Sequence, residues 1–245
     1  MNEKKFRKVY LVAIWTVTLI VVIYCSIRMY CRSSEPSGTA SGSDITTLAE
    51  FDSIDADVSA MNVTVRRGTG YSLTCSDSGS ALKYSVTDGV LKVTRADAVP
   101  IIGISHSDMS LVIEIPEDAS LKKTDIETDA GNVTLEGLSS GSVRIETDAG
   151  NVVLSSLKAG TIDVETDAGN VKAGTSTFDS LRAKTDMGNI TVSDTGDLQS
   201  FGIDAAADLG TVRIAGSRTA NSYHAQGTGS KSIHAETSMG NIEIE

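Results

Sequence analysis

Aromatic residues make up only 4% of this 245-residue chain, and it holds three prolines, three cysteines and three histidines. Scarce aromatics exclude a core built on large rings. Val, Ile, Leu and Ala must supply the burial instead, at about 25 cal/mol per Å² of apolar surface. The single Trp, Trp15, stands in an N-terminal apolar stretch and cannot serve the rest of the chain. Cys25, Cys31 and Cys75 form no CxxC pair, so neither a zinc site nor a disulfide framework is indicated. Cys75 reads as a small, packed or partly exposed thiol. His106, His224 and His234 have no paired-ligand spacing, and neither Gly-x-Ser-x-Gly nor His-Glu-x-x-His occurs. Positive charge is scarce beyond the N-terminus: residues 44–245 carry 15 Lys/Arg against 30 Asp/Glu, near −15. Such a surface repels phosphate backbones, which excludes nucleic acid as a partner. It favours cations or a basic partner. "GTGSKS" (227–232) looks superficially like a phosphate loop but reads as a Gly/Ser-rich insertion.

One long hydrophobic run is present. "VYLVAIWTVTLIVVIYCSI" (9–27) is 19 residues without formal charge. As a helix it spans about 28 Å, close to the hydrocarbon thickness of a bilayer. A cleaved signal peptide would have a shorter run and a small-residue cleavage site. Here "RMYCRSS" follows, and Val22, Ile23 and Tyr24 before Cys25 lack the small residue of a lipoprotein site. The stretch therefore reads as an uncleaved signal anchor. Lys4, Lys5, Arg7 and Lys8 precede it, which favours a cytoplasmic N-terminus and an outward-facing body. The expected organisation is a cytoplasmic tail (1–8), a transmembrane anchor (9–27), a Ser/Gly-rich linker (28–45) and an ectodomain (46–245). The expected location is the plasma membrane, crossed once.

The body repeats itself. "ETDAGNV" occurs unchanged at 127–133, 146–152 and 165–171. It continues as "KTDMGNI" (184–190), "AADLGTV" (206–212) and "ETSMGNI" (236–242). The interval is 19 residues through 184 and then stretches to 22 and 30; a fixed period reports stacked supersecondary units. In "SVRIETDAGNVVL" (142–154) Val143, Ile145 and Thr147 alternate with Arg144, Glu146 and Asp148, a half-buried strand. Asp148-Ala149-Gly150-Asn151 is turn chemistry, with Gly150 expected at positive φ. Each unit is then strand, turn, strand, loop. The fold class expected is all-β: a parallel β-helix-like solenoid of about 19-residue coils. A meander of antiparallel hairpins is the competing arrangement. The constant period and verbatim repetition favour coils.

Stacking predicts columns. One inward column is read as Ile126, Ile145, Val164, Ala183, Ile203 and Ile233, another as Val133, Val152, Val171, Ile190, Val212 and Ile242. Beside the first, Asp125, Arg144, Asp163, Arg182, Asp204 and His234 alternate in sign. The structural turn residues are Gly131, Gly150, Gly169 and Gly188 with Asn132, Asn151, Asn170 and Asn189. Asp129, Asp148, Asp167 and Asp186 form an acidic ladder, whose carboxylates read first as turn acceptors and only weakly as Ca²⁺ ligands. "SAMNVTVRRG" (59–68) reads as one more rung without the Gly, "ALKYSVTDGVLKVTR" (81–95) as two strands joined by a turn, and "SLVIEIPEDASL" (110–121) as a strand ending at Pro116. "AVPIIGISHS" (98–107) has no clear assignment.

Several stretches together resemble a bacterial family of β-strand-repeat proteins of unknown function, labelled putative adhesins. They are "FDSIDADVSAMNVTVRRG" (51–68), "DGVLKVT" (88–94), "LVIEIPEDASLKKTDIETDAGNVTLEGL" (111–138) and the Gly-Asn turns that follow. The resemblance implies a parallel β-helix-like solenoid on a bacterial envelope protein, and no functional residues. The expected function is a non-catalytic adhesive or binding module, with no cofactor. Its partners are the bilayer through residues 9–27 and another envelope protein or cell-wall polymer. Some relatives belong to envelope-stress systems, so a structural or regulatory subunit of a membrane complex is the alternative. A carbohydrate-active β-helix enzyme is the least favoured: the repeated acids sit at equivalent turn positions, and no aromatic stripe is evident for stacking sugars.

Overall fold

The computed structural model describes residues 37–40, 45–76, 82–95, 109–193 and 196–245. The apolar stretch 9–27, the tail 1–8, Cys25, Cys31, His106 and the 98–107 segment lie outside the described residues. Among the described residues no helix is long and apolar enough to cross a membrane.

Period-2 strands joined by tight turns generate two 11-stranded sheets. Each repeat gives one long strand to the first sheet and one short strand to the second. The long strands are Leu121–Ala130, Ser139–Ala149, Lys158–Ala168 and Thr177–Met187. The short ones are Val133–Glu136, Val152–Ser155, Val171–Gly174 and Ile190–Ser193. Each pairs in parallel with its counterpart in the next coil. The two strands of one repeat thus belong to different sheets, which removes the hairpin meander and leaves coils. Two further coils stand on the N-terminal side of this stack. Ser53–Asp57 and Asn62–Gly68 form the nearer, Val90–Arg95 and Ser110–Pro116 the outer.

The core lies between the sheets and is aliphatic. The Val133 column is as expected and gains Val63 at its N-terminal end; its members are 0–1% exposed. The other inward column differs. Ala183 pairs with Ala235 and Ala235 with Ala205, while Ile233 and Ile203 continue Leu181 in the neighbouring column. A shift of two residues leaves the inward face unchanged, so alternation alone does not fix the alignment; the distance from the turn glycine does. Cys75 is fully buried in the same core.

The stacking order departs from the chain order at both ends. Lys231–Met239 pairs with Thr177–Met187 on one side and Phe201–Leu209 on the other. Ile242–Ile244 likewise lies between Ile190–Ser193 and Val212–Ile214. The 231–244 coil therefore occupies a slot between coils written before it. On the N-terminal side the 90–116 coil lies outside the 53–68 coil, and the chain steps back over it to residue 121. Arg67 braces that step. Its Nε donates to the Gly137 carbonyl at 2.7 Å, and its Nη1 to those of Pro116 (2.6 Å) and Ala119 (2.7 Å).

Both open ends are closed by antiparallel strands, which satisfy edge amides that would otherwise template aggregation. Leu82–Thr87 forms a hairpin with Val90–Arg95 through Asp88 (φ 52°) and Gly89 (φ 79°), the left-handed pair that suits a two-residue turn. Ser37–Ala40 adds to that hairpin, and Ile45–Thr47 adds to Ser72–Ser76. The expected linker 28–45 therefore needs correction: part of it is sheet. Small residues suit the task, because an edge strand needs only its backbone, and a Cβ on Gly38 would sit 2.5 Å from the Tyr84 hydroxyl. At the other end Ser222–Ala225 and Ser217–Arg218 play the same part.

Left-handed backbone appears where the sequence does not advertise it. Gly137 (φ 69°), Ser156 (φ 56°) and Thr175 (φ 48°) are equivalent positions in successive coils, at the second turn. A non-glycine residue there costs about 1–2 kcal/mol. Ser156→Gly should therefore raise stability by about 0.5–1 kcal/mol after the entropy cost of glycine, or the melting temperature by about 1–4 °C. A melt at or below that of the parent would disprove strain at this turn.

Candidate functional site

The corner where each long strand turns into its short strand presents the same chemistry coil after coil, in four parallel rows. Outermost on the short-strand side is an asparagine ladder. The amide N–H of Asn151 donates to the Asn132 Oδ1 at 2.9 Å, and its side-chain Nδ2 donates to the same oxygen at 3.0 Å. Asn170 repeats this on Asn151, Asn189 on Asn170 and Asn241 on Asn189. Asn132 does the same to Asn62 in the coil before, and Thr211 closes the far end on the Asn241 Oδ1. The rung read at 59–68 is therefore a true member, with Met61 in the glycine place.

The glycine row lies next, and its role differs from the expected one. None of Gly131, Gly150, Gly169 and Gly188 has positive φ; among the described glycines that belongs to Gly89, Gly137, Gly196 and Gly216. Close approach is the reason for glycine here. A Cβ on Gly150 would lie 1.9 Å from the Gly131 carbonyl oxygen, on Gly169 1.9 Å from that of Gly150, and on Gly188 1.8 Å from that of Gly169. The carbonyls also accept from buried threonines of the following coil: Thr166 on Gly150 at 3.2 Å, Thr185 on Gly169 at 3.0 Å, Thr237 on Gly188 at 2.9 Å.

The third row is apolar and was not foreseen. Ala130, Ala149, Ala168, Met187, Met239 and Leu209 are register partners in stacking order. Met187 is 52%, Met239 48% and Leu209 72% exposed, three of the four exposed large hydrophobic residues among those described. The signal was present in the sequence as the residue before each turn glycine, Ala three times and then Met, Leu and Met.

The fourth row is the acidic ladder. Asp129, Asp148, Asp167 and Asp186 are all exposed and aligned. Among the described residues none of them has an ion-pair partner, and no group of three His, Cys, Asp or Glu side chains is placed to hold a metal ion. The neighbouring rows on the same sheet contrast with this. Arg182 reaches Asp163 at 3.2 Å, Arg144 lies 3.9 Å from Asp125, and Lys184 meets Glu165 at 2.7 Å. The Lys184 ammonium, by direct hydrogen bond, holds the Glu165 carboxyl below its ordinary range, and Glu165 in turn raises Lys184. His234 stands between Arg182 and Asp204 in the stack, 3.7 Å from the Asp204 carboxylate, so the alternation of sign breaks at the exchanged coil. In the 227–232 segment, residues 227–230 connect two strands and Lys231 begins the Lys231–Met239 strand: Gly227 packs against the backbone of Phe201 and Gly202, and Lys231 lies over the Phe201 ring at 5.3 Å.

Close packing at the glycine row and hydrogen bonding at the asparagine row give separate expectations. Gly150→Ala should cost at least about 2 kcal/mol, because the clash is with backbone of the preceding coil. Gly70→Ala, where nothing lies within 4 Å, should be silent in the same thermal melt. Equal effects would remove the close-approach account. Asn151→Ala should cost about 1–2 kcal/mol, by loss of its own donation and of the acceptor for Asn170. Asn151→Asp keeps that acceptor but sets a carboxylate against the Asn132 oxygen, so it should gain stability as pH falls toward carboxylate protonation. A pH-independent difference between the parent and Asn151→Asp would count against the ladder.

Comparison with known proteins gives a family and no activity. A solved structure of a putative adhesin from Bacteroides fragilis is 16% identical, with 86% of this chain and 98% of that one covered and a TM-score of 0.47. A putative cell adhesion protein from Clostridium sporogenes is 14% identical over 86% of this chain and 99% of that one, with a TM-score of 0.43. No curated protein matches the sequence. The family model described as Toastrack DUF4097 matches residues 116–245, more than half of the chain, and the protein belongs to that family.

Proposed function

We propose that the protein is a membrane-anchored, extracytoplasmic, non-catalytic binding module of the bacterial cell envelope. The observation that carries this reading is repetition. The corner presents Asp, Ala or Met, Gly and Asn in the same order in successive coils, whereas catalysis needs one unique constellation of nucleophile, base and stabiliser. A surface that recurs coil by coil suits a repeated or elongated partner, such as wall polymer or a segment of another envelope protein. The 19-residue apolar stretch behind Lys4, Lys5, Arg7 and Lys8 supplies the anchor and directs the body outward.

Protease added to intact cells should remove a tag placed after residue 245 and spare a tag placed before residue 1. The opposite pattern would overturn the orientation. The soluble body should bind cells or isolated wall when residues 9–27 are deleted. If instead a membrane-protein partner is recovered only while residues 9–27 are present, the regulatory-subunit reading takes its place.

A further inference from the structure

The apolar and acidic rows of the corner run side by side, since each Asp is followed in the chain by the Ala, Met or Leu. Met187, Met239 and Leu209 come from three adjacent coils and form a continuous exposed strip, extended on the N-terminal side by Ala168, Ala149 and Ala130. In the neighbouring rows of this sheet some outward acids pair with bases in the next coil, as Asp163 does with Arg182 and Glu165 with Lys184. Asp129, Asp148, Asp167 and Asp186, which flank Ala130, Ala149, Ala168 and Met187, make no ion pair among the described residues; Ser238 precedes Met239 and Asp208 precedes Leu209. Contiguous exposed apolar side chains rimmed by charge mark an interaction surface, and here the rim is of one sign.

We infer that this corner docks a basic amphipathic α-helix from another protein, lying along the stacking axis with its apolar row on Met187, Met239 and Leu209 and its Lys or Arg row on Asp129, Asp148, Asp167 and Asp186. Charge complementarity selects a cationic partner. Spacing selects a helix. Coils repeat about every 4.8 Å, and one helical turn advances about 5.4 Å, so residues three or four apart stay in step with the coils to about 0.6 Å per rung. An extended segment returns to the same face about every 6.7 Å and loses step by about 2 Å per rung. The charge rules out strong attraction to anionic lipid, which carries the same sign. The inference deepens the binding-module reading and rests on it.

The test uses the full chain in zwitterionic nanodiscs, with empty nanodiscs as reference, and fluorescence anisotropy of two labelled 18-residue Leu/Lys peptides of identical composition. One places Leu at i, i+3, i+4 and i+7; the other alternates Leu and Lys. The helix-patterned peptide should bind at least tenfold more tightly. Met187→Ser/Met239→Ser should weaken it at least tenfold, and so should Asp148→Asn/Asp167→Asn. All of these positions are exposed, and unchanged melting curves would confirm that the variants fold. Equal binding of the two peptides would mean charge attraction alone and overturn the inference, as would unchanged binding by either double variant. Self-association that disappears in the Met variant would assign the strip to a second copy of the chain, and vesicle binding that disappears would assign it to lipid; either result overturns the helix. The measurement is made on purified components, so it stands or falls independently of where the chain resides in the cell.

Discussion

Contact between neighbouring glycines sets the geometry of the whole stack. The corner of each coil comes so near the next that no Cβ fits between them, and a carbonyl oxygen occupies the space instead. The register of both sheets is fixed there. Because side chains alternate with a period of two, an offset of one residue would turn every Val and Ile outward. The asparagine ladder reinforces the same alignment by pairing each rung's amide with the side-chain oxygen of the rung before. The aliphatic columns then supply burial within a register already determined.

Chemistry at the corner divides by distance from that contact. Gly and Asn are committed to holding the coils together and have little freedom to vary. The residue before the glycine is under no such restraint, and there the sequence changes from Ala to Met and Leu along the stack. One residue further back stands an Asp that, at Asp129, Asp148, Asp167 and Asp186, makes no ion pair among the described residues. Surface chemistry and structural duty therefore fall to the first and second pair of four consecutive residues.

Much of this was legible in the sequence, because a verbatim repeat at constant period reports stacking directly. Strand and turn assignments, the Val133 column and the membership of the 59–68 rung all follow from it. The exchanged order of the 201–214 and 231–244 coils does not: intervals of 22 and 30 residues give the length of a connection, not which neighbour it reaches. The edge strands Ser37–Ala40 and Ile45–Thr47 were hidden because a capping strand uses its backbone, and Ser, Gly and Thr look like linker when only side chains are weighed. Glycine misled in the opposite sense. At Gly150 it signals crowding and not positive φ, while the left-handed positions at the other turn hold Ser156 and Thr175.

A solenoid ordinarily behaves as a one-dimensional array, in which each unit depends on its immediate neighbours and the ends fray first. The 231–244 coil changes that. It inserts between two coils that are consecutive in the chain, so the 201–214 coil has no inner neighbour until a later segment arrives. Its return to the 177–193 coil closes a loop around the 201–214 coil, and the whole far end of the stack must form or dissolve together. The array gains a clasp. Its melting becomes concerted where simple stacking would peel, at the cost of slower assembly, because the final contacts join residues about 50 positions apart, as Met187 and Met239 do.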